Sequence, residues 1–167
     1  MDHLVYFDTK SQELTLLLNG EKDIILRGAT GRKLPYGRVK ENDCLYFCEN
    51  NASGIIKAKA IVNRVTFTDK LDVEASNQIV DRLQDRIKLH DKALKRFRGK
   101  RYLSIIEVGS IEEIASFTFD KSNYSNMDFT CSSERNWRSF NKSNVNCIVH
   151  WNCLSGLHYR KEIRSDF

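Results

Sequence analysis

Apolar and polar positions divide the chain into short segments with different periods. Leu4, Val5, Tyr6 and Phe7 form a short β-prone apolar run, which predicts a buried strand. Thr9 stands three residues before Gln12, the spacing of a capping box. Leu14, Leu17 and Leu18 then supply a helical face, and Gly20 sits where a helix ends on positive φ. Ile24 to Leu26 reads as a strand, followed by a loop rich in glycine and cations. Cys44 to Cys48 is a further strand, and Ile55 to Val65 alternates with period two, one face apolar and one solvated. The turn from Asn50 to Gly54 predicts a hairpin between these two. From Asp72, a plausible N-cap, to Phe97 the period becomes helical, through Val73, Ile79, Val80, Leu83, Ile87, Leu94 and Phe97. Arg101 to Val108 is another strand, and Ile111 to Ile114 opens the next strand or a turn. Residues 121–142 are polar with scattered aromatics and read as a long loop, and Val145 to Trp151 as a last strand.

Strands interrupted by helices in an order that is not βαβ predict an α+β fold. The expected architecture is a small, mostly antiparallel β-barrel flanked by two or more helices. Residues 1–145 are expected to form the domain, with residues 146–167 as its last strand and polar tail.

Composition narrows the classes. The 167 residues, 41% hydrophobic and 29% charged, suit one globular domain and exclude a disordered chain. No apolar run approaches the roughly 20 residues of a membrane-spanning helix, so no membrane association is expected. The first residues lack a basic segment followed by an apolar core, so no secretory signal is expected. Five cysteines without a framework spacing fit free thiols and a cytoplasmic location.

Charge adds position. The formal charge is +5 with a pI near 9.0. Between residues 20 and 40, Lys22, Arg27, Arg32, Lys33, Arg38 and Lys40 face only Glu21 and Asp23, a local +4 on a stretch that also holds the chain's one proline, Pro35. Cations gathered on turn-rich backbone suit phosphate contacts. Residues 81–101 carry nine Lys or Arg against three Asp, but cations near helix C-termini also complement the helix dipole. There a solvated helix face is favoured over a binding surface.

In order along the chain stand a helix, the motif Gly20-x-Lys22-x-x-x-x-Arg27, the basic turn Pro35-Tyr36-Gly37-Arg38-Val39, and Asn42-Asp43-x-Leu45-Tyr46-Phe47. This order resembles an ASCH domain of the PUA-like superfamily. Lys100 to Ile106 resembles the strand after that family's long helix, and Val108 to Phe117 the segment after it. The similarity covers about residues 3 to 130. It implies a small β-barrel with a cleft beside the motif and a link to RNA or modified nucleosides, as RNA-binding modules, ribonucleases or small amidohydrolases on acylated cytidines. The third position after Lys22, usually an acid or a hydroxyl residue in the family, is Ile25, which removes the nearest helper for chemistry.

The candidate ligand residues are therefore Lys22, Arg27, Arg32, Lys33, Tyr36, Arg38 and Trp137. Lys22 would be catalytic only if the protein were an enzyme, and Tyr36 and Trp137 would stack on an unpaired base. For Trp137, packing and stacking are equally open readings, whereas Tyr46, inside a strand, is read as core. Cys131, Cys147, His150 and Cys153 are zinc-ligand types at an unusual spacing, and Cys44 and Cys48 look like core. No metal or cofactor is expected. The leading expectation is a module that binds RNA or a nucleotide-like ligand. The alternatives are a hydrolase centred on Lys22 and a protein-interaction domain using the basic helix face.

Overall fold

A computed structural model of the chain describes residues 1–51 and 53–118. The expected final strand, Trp137 and the four zinc-type residues Cys131, Cys147, His150 and Cys153 lie outside the described residues. The strands are β1 (Asp2–Phe7), β2 (Ile24–Ala29), β3 (Cys44–Glu49), β4 (Ile55–Phe67), β5 (Tyr102–Val108) and β6 (Glu112–Thr118). The helices are α1 (Glu13–Leu18), α2 (Val73–Arg82), α3 (Gln84–Ile87) and α4 (Asp91–Phe97).

One mixed sheet, in the order β1-β3-β4-β5-β2 with β6 also on β4, curls into a half-barrel. Among the described residues only β1 against β3 is parallel; the other pairings are antiparallel, including the expected β3–β4 hairpin. The long strand β4 holds the sheet together. Its first half lies between β3 and β6, and its second half pairs with β5. Val62 pairs with Val108 and Lys59 with Glu112, so β5 and β6 follow one another along the same edge, interrupted at residues 109–111.

The period-two pattern explains the layers. Val5, Phe7, Leu45, Phe47, Ala58, Ala60, Ile25 and Ile106 meet inside the curl with Leu14 and Leu17 of α1. Strand β2 is buried on both faces: Ile25 points into this cluster, while Ile24 and Leu26 point outward against Val80, Ile87, Leu94 and Phe97 of the helices. That is why residues 24–26 form a continuous apolar run rather than an alternating one.

Two expected helices differ from their sequence pattern. Residues 72–97 form three short helices, because Lys88 adopts φ 44° after α3 and His90 starts α4 as its N-cap. Near the N-terminus, Asp8 rather than Thr9 provides the side-chain cap, accepting from the Lys10 amide at 3.0 Å. A 3-10 turn over Thr9–Ser11 precedes α1, separated from it by Gln12 at φ 54°. The periodicity reported which residues face the core, and such a pattern survives a break that keeps the same face inward.

Asp43, just before β3, anchors the parallel β1–β3 pair. Its carboxylate accepts from the Met1 ammonium at 2.8 Å and from the Lys40 amide at 2.7 Å, and it lies 2.7 Å from His3 Nε2. Burial pushes this carboxyl up, but these bonds hold it below its ordinary range.

Phe47 is fully buried and packs against Phe7 with ring centroids 5.5 Å apart. Phe47→Ala is expected to cost about 3–5 kcal/mol in urea unfolding; a loss under about 1 kcal/mol would show that the interior collapses around the gap.

Candidate functional site

The loop motif begins with a helix ending. Gly20, at φ 71°, follows α1, with its amide donating to Leu17 O at 3.0 Å and the Glu21 amide to Leu16 O at 2.9 Å. This pair of bonds is the Schellman arrangement, and a Cβ at Gly20 would be strained by the positive φ. The turn reverses the chain so that Lys22 runs back beneath α1.

Lys22 is 2% exposed. Its Nζ donates to Glu13 Oε2 at 2.6 Å and to the Ile87 carbonyl at 2.8 Å. One ammonium thus joins the first turn of α1, the entrance to β2 and the end of α3. Asp23, the next residue, points the opposite way and binds Arg86 at 3.0 Å, as expected of neighbours on extended backbone. Ile25 is fully buried in the main cluster.

Arg27 shares the inner face of β2 with Ile25 and is 7% exposed. It donates to its neighbour Leu26 O at 2.8 Å and to Tyr6 O at 3.5 Å, and its guanidinium lies 5.5 Å from the Phe7 ring centroid. Because β1 and β2 are the two ends of the sheet path, Arg27 reaches across the gap between them. Glu13 is the buried acid that serves both cations. Burial pushes its carboxyl up, but the charges of Lys22 and Arg27 and hydrogen bonds from Lys22 and Ser11 outweigh that and hold it below the usual range.

Glu13 is not among the candidate residues read from the sequence. The one signal pointing to Glu13 was its place beside the apolar positions of α1, where an unpaired acid is not tolerated.

The remaining cations of the motif lie elsewhere. Arg32, Lys33 and Arg38 are exposed on the β2–β3 connection. The Arg32 guanidinium stands 5.6 Å from the Tyr36 ring centroid and 5.6 Å from that of Tyr102. Tyr36 is fixed by its hydroxyl, which donates to Thr68 O at 2.8 Å, and by ring contacts to Phe67 at 5.0 Å and Tyr102 at 5.6 Å. The motif therefore splits: Lys22 and Arg27 are internal, whereas Arg32, Lys33, Tyr36 and Arg38 form an outer surface at one end of the sheet.

Each half has different chemistry. A lysine attacks a carbonyl through an accessible amine, whereas the Lys22 Nζ is buried and bound to Glu13 and the Ile87 carbonyl. The outer half offers what anionic, aromatic ligands need, namely exposed guanidinium and ammonium groups beside supported rings. On the helices, Arg86 is engaged by Asp23 and by Glu107 at 2.8 Å, and Arg98 by Asp81, so part of the basic face is internally neutralised. Among the described residues no group of three or more His, Cys, Asp or Glu gathers as a metal site, and no helix is long and apolar enough to cross a membrane. Tyr46 and Cys48 lie buried in a further apolar cluster with Leu4, Tyr6 and Ile56.

Lys22→Ala leaves the Glu13 carboxylate buried without its nearest cation and is expected to cost about 3–5 kcal/mol in urea unfolding, with the paired change Lys22→Met and Glu13→Gln recovering much of it. Because Glu13 titrates lower folded than unfolded, its contribution is present above the unfolded value near pH 4.3 and is lost as pH falls through the folded value. Glu13→Gln should therefore flatten the acid limb of a stability-against-pH profile; an unchanged limb would remove Glu13 from that role.

No family model matches the chain, and no curated protein matches it in sequence. Solved structures match it in three dimensions. The crystal structure of ASCH from Zymomonas mobilis superposes with a TM-score of 0.56 at 12% identity, covering 75% of this chain and 80% of that one. A serine-to-alanine variant of that protein gives 0.54 at 10% identity over 70% and 73% of the two chains, and a tyrosine-to-phenylalanine variant 0.52 at 12% over 75% and 83%. At this identity the likeness concerns the backbone alone, and it agrees with the half-barrel and the helices: the chain shares the fold of these ASCH proteins.

Proposed function

We propose that this protein is an RNA- or nucleotide-binding module whose ligand surface is the β2–β3 connection, with Arg32, Lys33, Tyr36 and Arg38 in contact with ligand. Lys22 and Arg27 shape and hold that region from inside. The observation that supports this reading is the separation within the motif, where two cations are committed to Glu13 and backbone carbonyls while three are exposed around supported tyrosines. Hydrolysis centred on Lys22 would need an accessible amine, and the Lys22 Nζ is buried against Glu13 and the Ile87 carbonyl. The geometry therefore favours binding over turnover.

Binding of this kind depends on salt. Affinity for a labelled single-stranded RNA of about ten nucleotides is expected to fall steeply between about 50 and 200 mM salt. Lys33→Ala and Arg38→Ala should each weaken binding and reduce the logarithmic salt slope by about 0.7 per lost phosphate contact. Absence of binding at the lower salt by fluorescence anisotropy would remove the proposal, and RNA cleaved at a rate dependent on Lys22 would replace it with the hydrolase reading.

A further inference from the structure

Tyr102 and Phe67 played no part in the sequence motif, yet both reach it. Tyr102 is the first residue of β5, paired with Ala29 at the end of β2, and Phe67 is the last residue of β4, paired with Ser104. The ends of three neighbouring strands thus deliver their residues to one place, beneath the loop carrying Arg32 and Tyr36. The rings form a connected set: Tyr36 is tilted on Phe67 and edge-on to Tyr102, the latter at an interplanar angle of 80°. All three are half-buried, and none belongs to the three apolar clusters of the interior.

Aromatic rings serving only as core would be covered by apolar side chains. Tyr36 and Tyr102 instead have the exposed guanidinium of Arg32 against them, at 5.6 Å from each centroid. Exposed cations surround the set in sequence: Lys33 and Arg38 on the loop, Lys70 after β4, and Arg101 just before Tyr102. Planar, supported rings with an exposed guanidinium against them match the two parts of a single-stranded nucleotide, its base and its phosphate.

We infer that Tyr102 offers the stacking face for one unpaired base of single-stranded RNA and that Tyr36, supported by Phe67, forms the adjoining wall; this rests on the RNA-binding reading above and adds the residue that recognises the base. A stacked base contributes roughly five- to hundredfold in affinity. An exposed cation–π contact contributes only roughly two- to fivefold. A base therefore displaces the Arg32 guanidinium from the rings. Arg32 sits at the rim already, so it needs only to rotate outward to meet the phosphate of the same nucleotide. The two rings stand at 80°, so a base stacked on Tyr102 meets Tyr36, whose hydroxyl donates to Thr68 O, edge to face.

The test separates base from backbone. Wild-type protein is titrated with a single-stranded RNA of about ten nucleotides and with an abasic oligomer of the same length and charge, at low salt. The RNA is expected to bind roughly five- to hundredfold more tightly. Tyr102→Leu, which keeps apolar bulk and removes the π-face, should erase most of that difference without changing the salt slope, and Tyr102→Phe should restore it. Equal affinity for the two oligomers overturns the stacking subsite and leaves the basic surface in place, as does a folded Tyr102→Leu that binds RNA like wild type. Failure of wild type to bind either oligomer overturns the subsite together with the RNA-binding reading. Should Tyr102→Leu unfold, the abasic comparison on wild type decides alone.

Discussion

Two cations enter the interior of this small barrel, and the fold depends on their being matched. Removing an ammonium and a guanidinium from water is costly unless a carboxylate and oriented carbonyls replace the lost hydration. Glu13 provides the carboxylate, and the Ile87, Leu26 and Tyr6 carbonyls provide the rest. The consequence is architectural. Lys22 ties α1 to β2 and to the end of α3, and Arg27 crosses from β2 to β1, so the two ends of the sheet path are held beside one another where, among the described residues, no strand pairing connects them. Apolar packing alone could fill that space, but it would not fix the direction in which the chain leaves α1.

That internal work explains why the basic stretch divides. Residues near the start of the motif meet the end of α1 and are drawn into the interior. Those after Ala29 lie beyond the last residue of β2 and are carried outside. Exposure then assigns chemistry: the inner pair is bound to buried carboxylate and carbonyl oxygens, and the outer group keeps its donors turned to solvent beside aromatic rings.

Much of the architecture was legible in the sequence because strands and core faces are written locally. The period of two in Ile55 to Val65, the apolar run at Ile24 to Leu26 and the run at Cys44 to Cys48 each became a strand. The order Gly20, Lys22, Arg27, Pro35, Asn42 pointed to the ASCH fold that the superpositions show. What escaped was long-range or conformational. Nothing in a single sequence links Glu13 to Lys22, nine residues on, because the link runs through a turn whose geometry must already be known. The break at Lys88 was hidden because both sides of it keep the same face toward β2. Tyr102 looked like an ordinary strand residue, and its neighbourhood with Tyr36 depends on three strands ending together.

Strand β4 carries a different lesson, about drift rather than binding. Because it is shared by β3, β6 and β5, gaining or losing one residue in its middle would reverse the facing of side chains against several partners together. Substitutions face no such collective penalty, since each position answers only for its own volume and polarity. Such a strand therefore constrains its length more than its letters. Two chains can consequently share this fold while matching at only 12% of their positions.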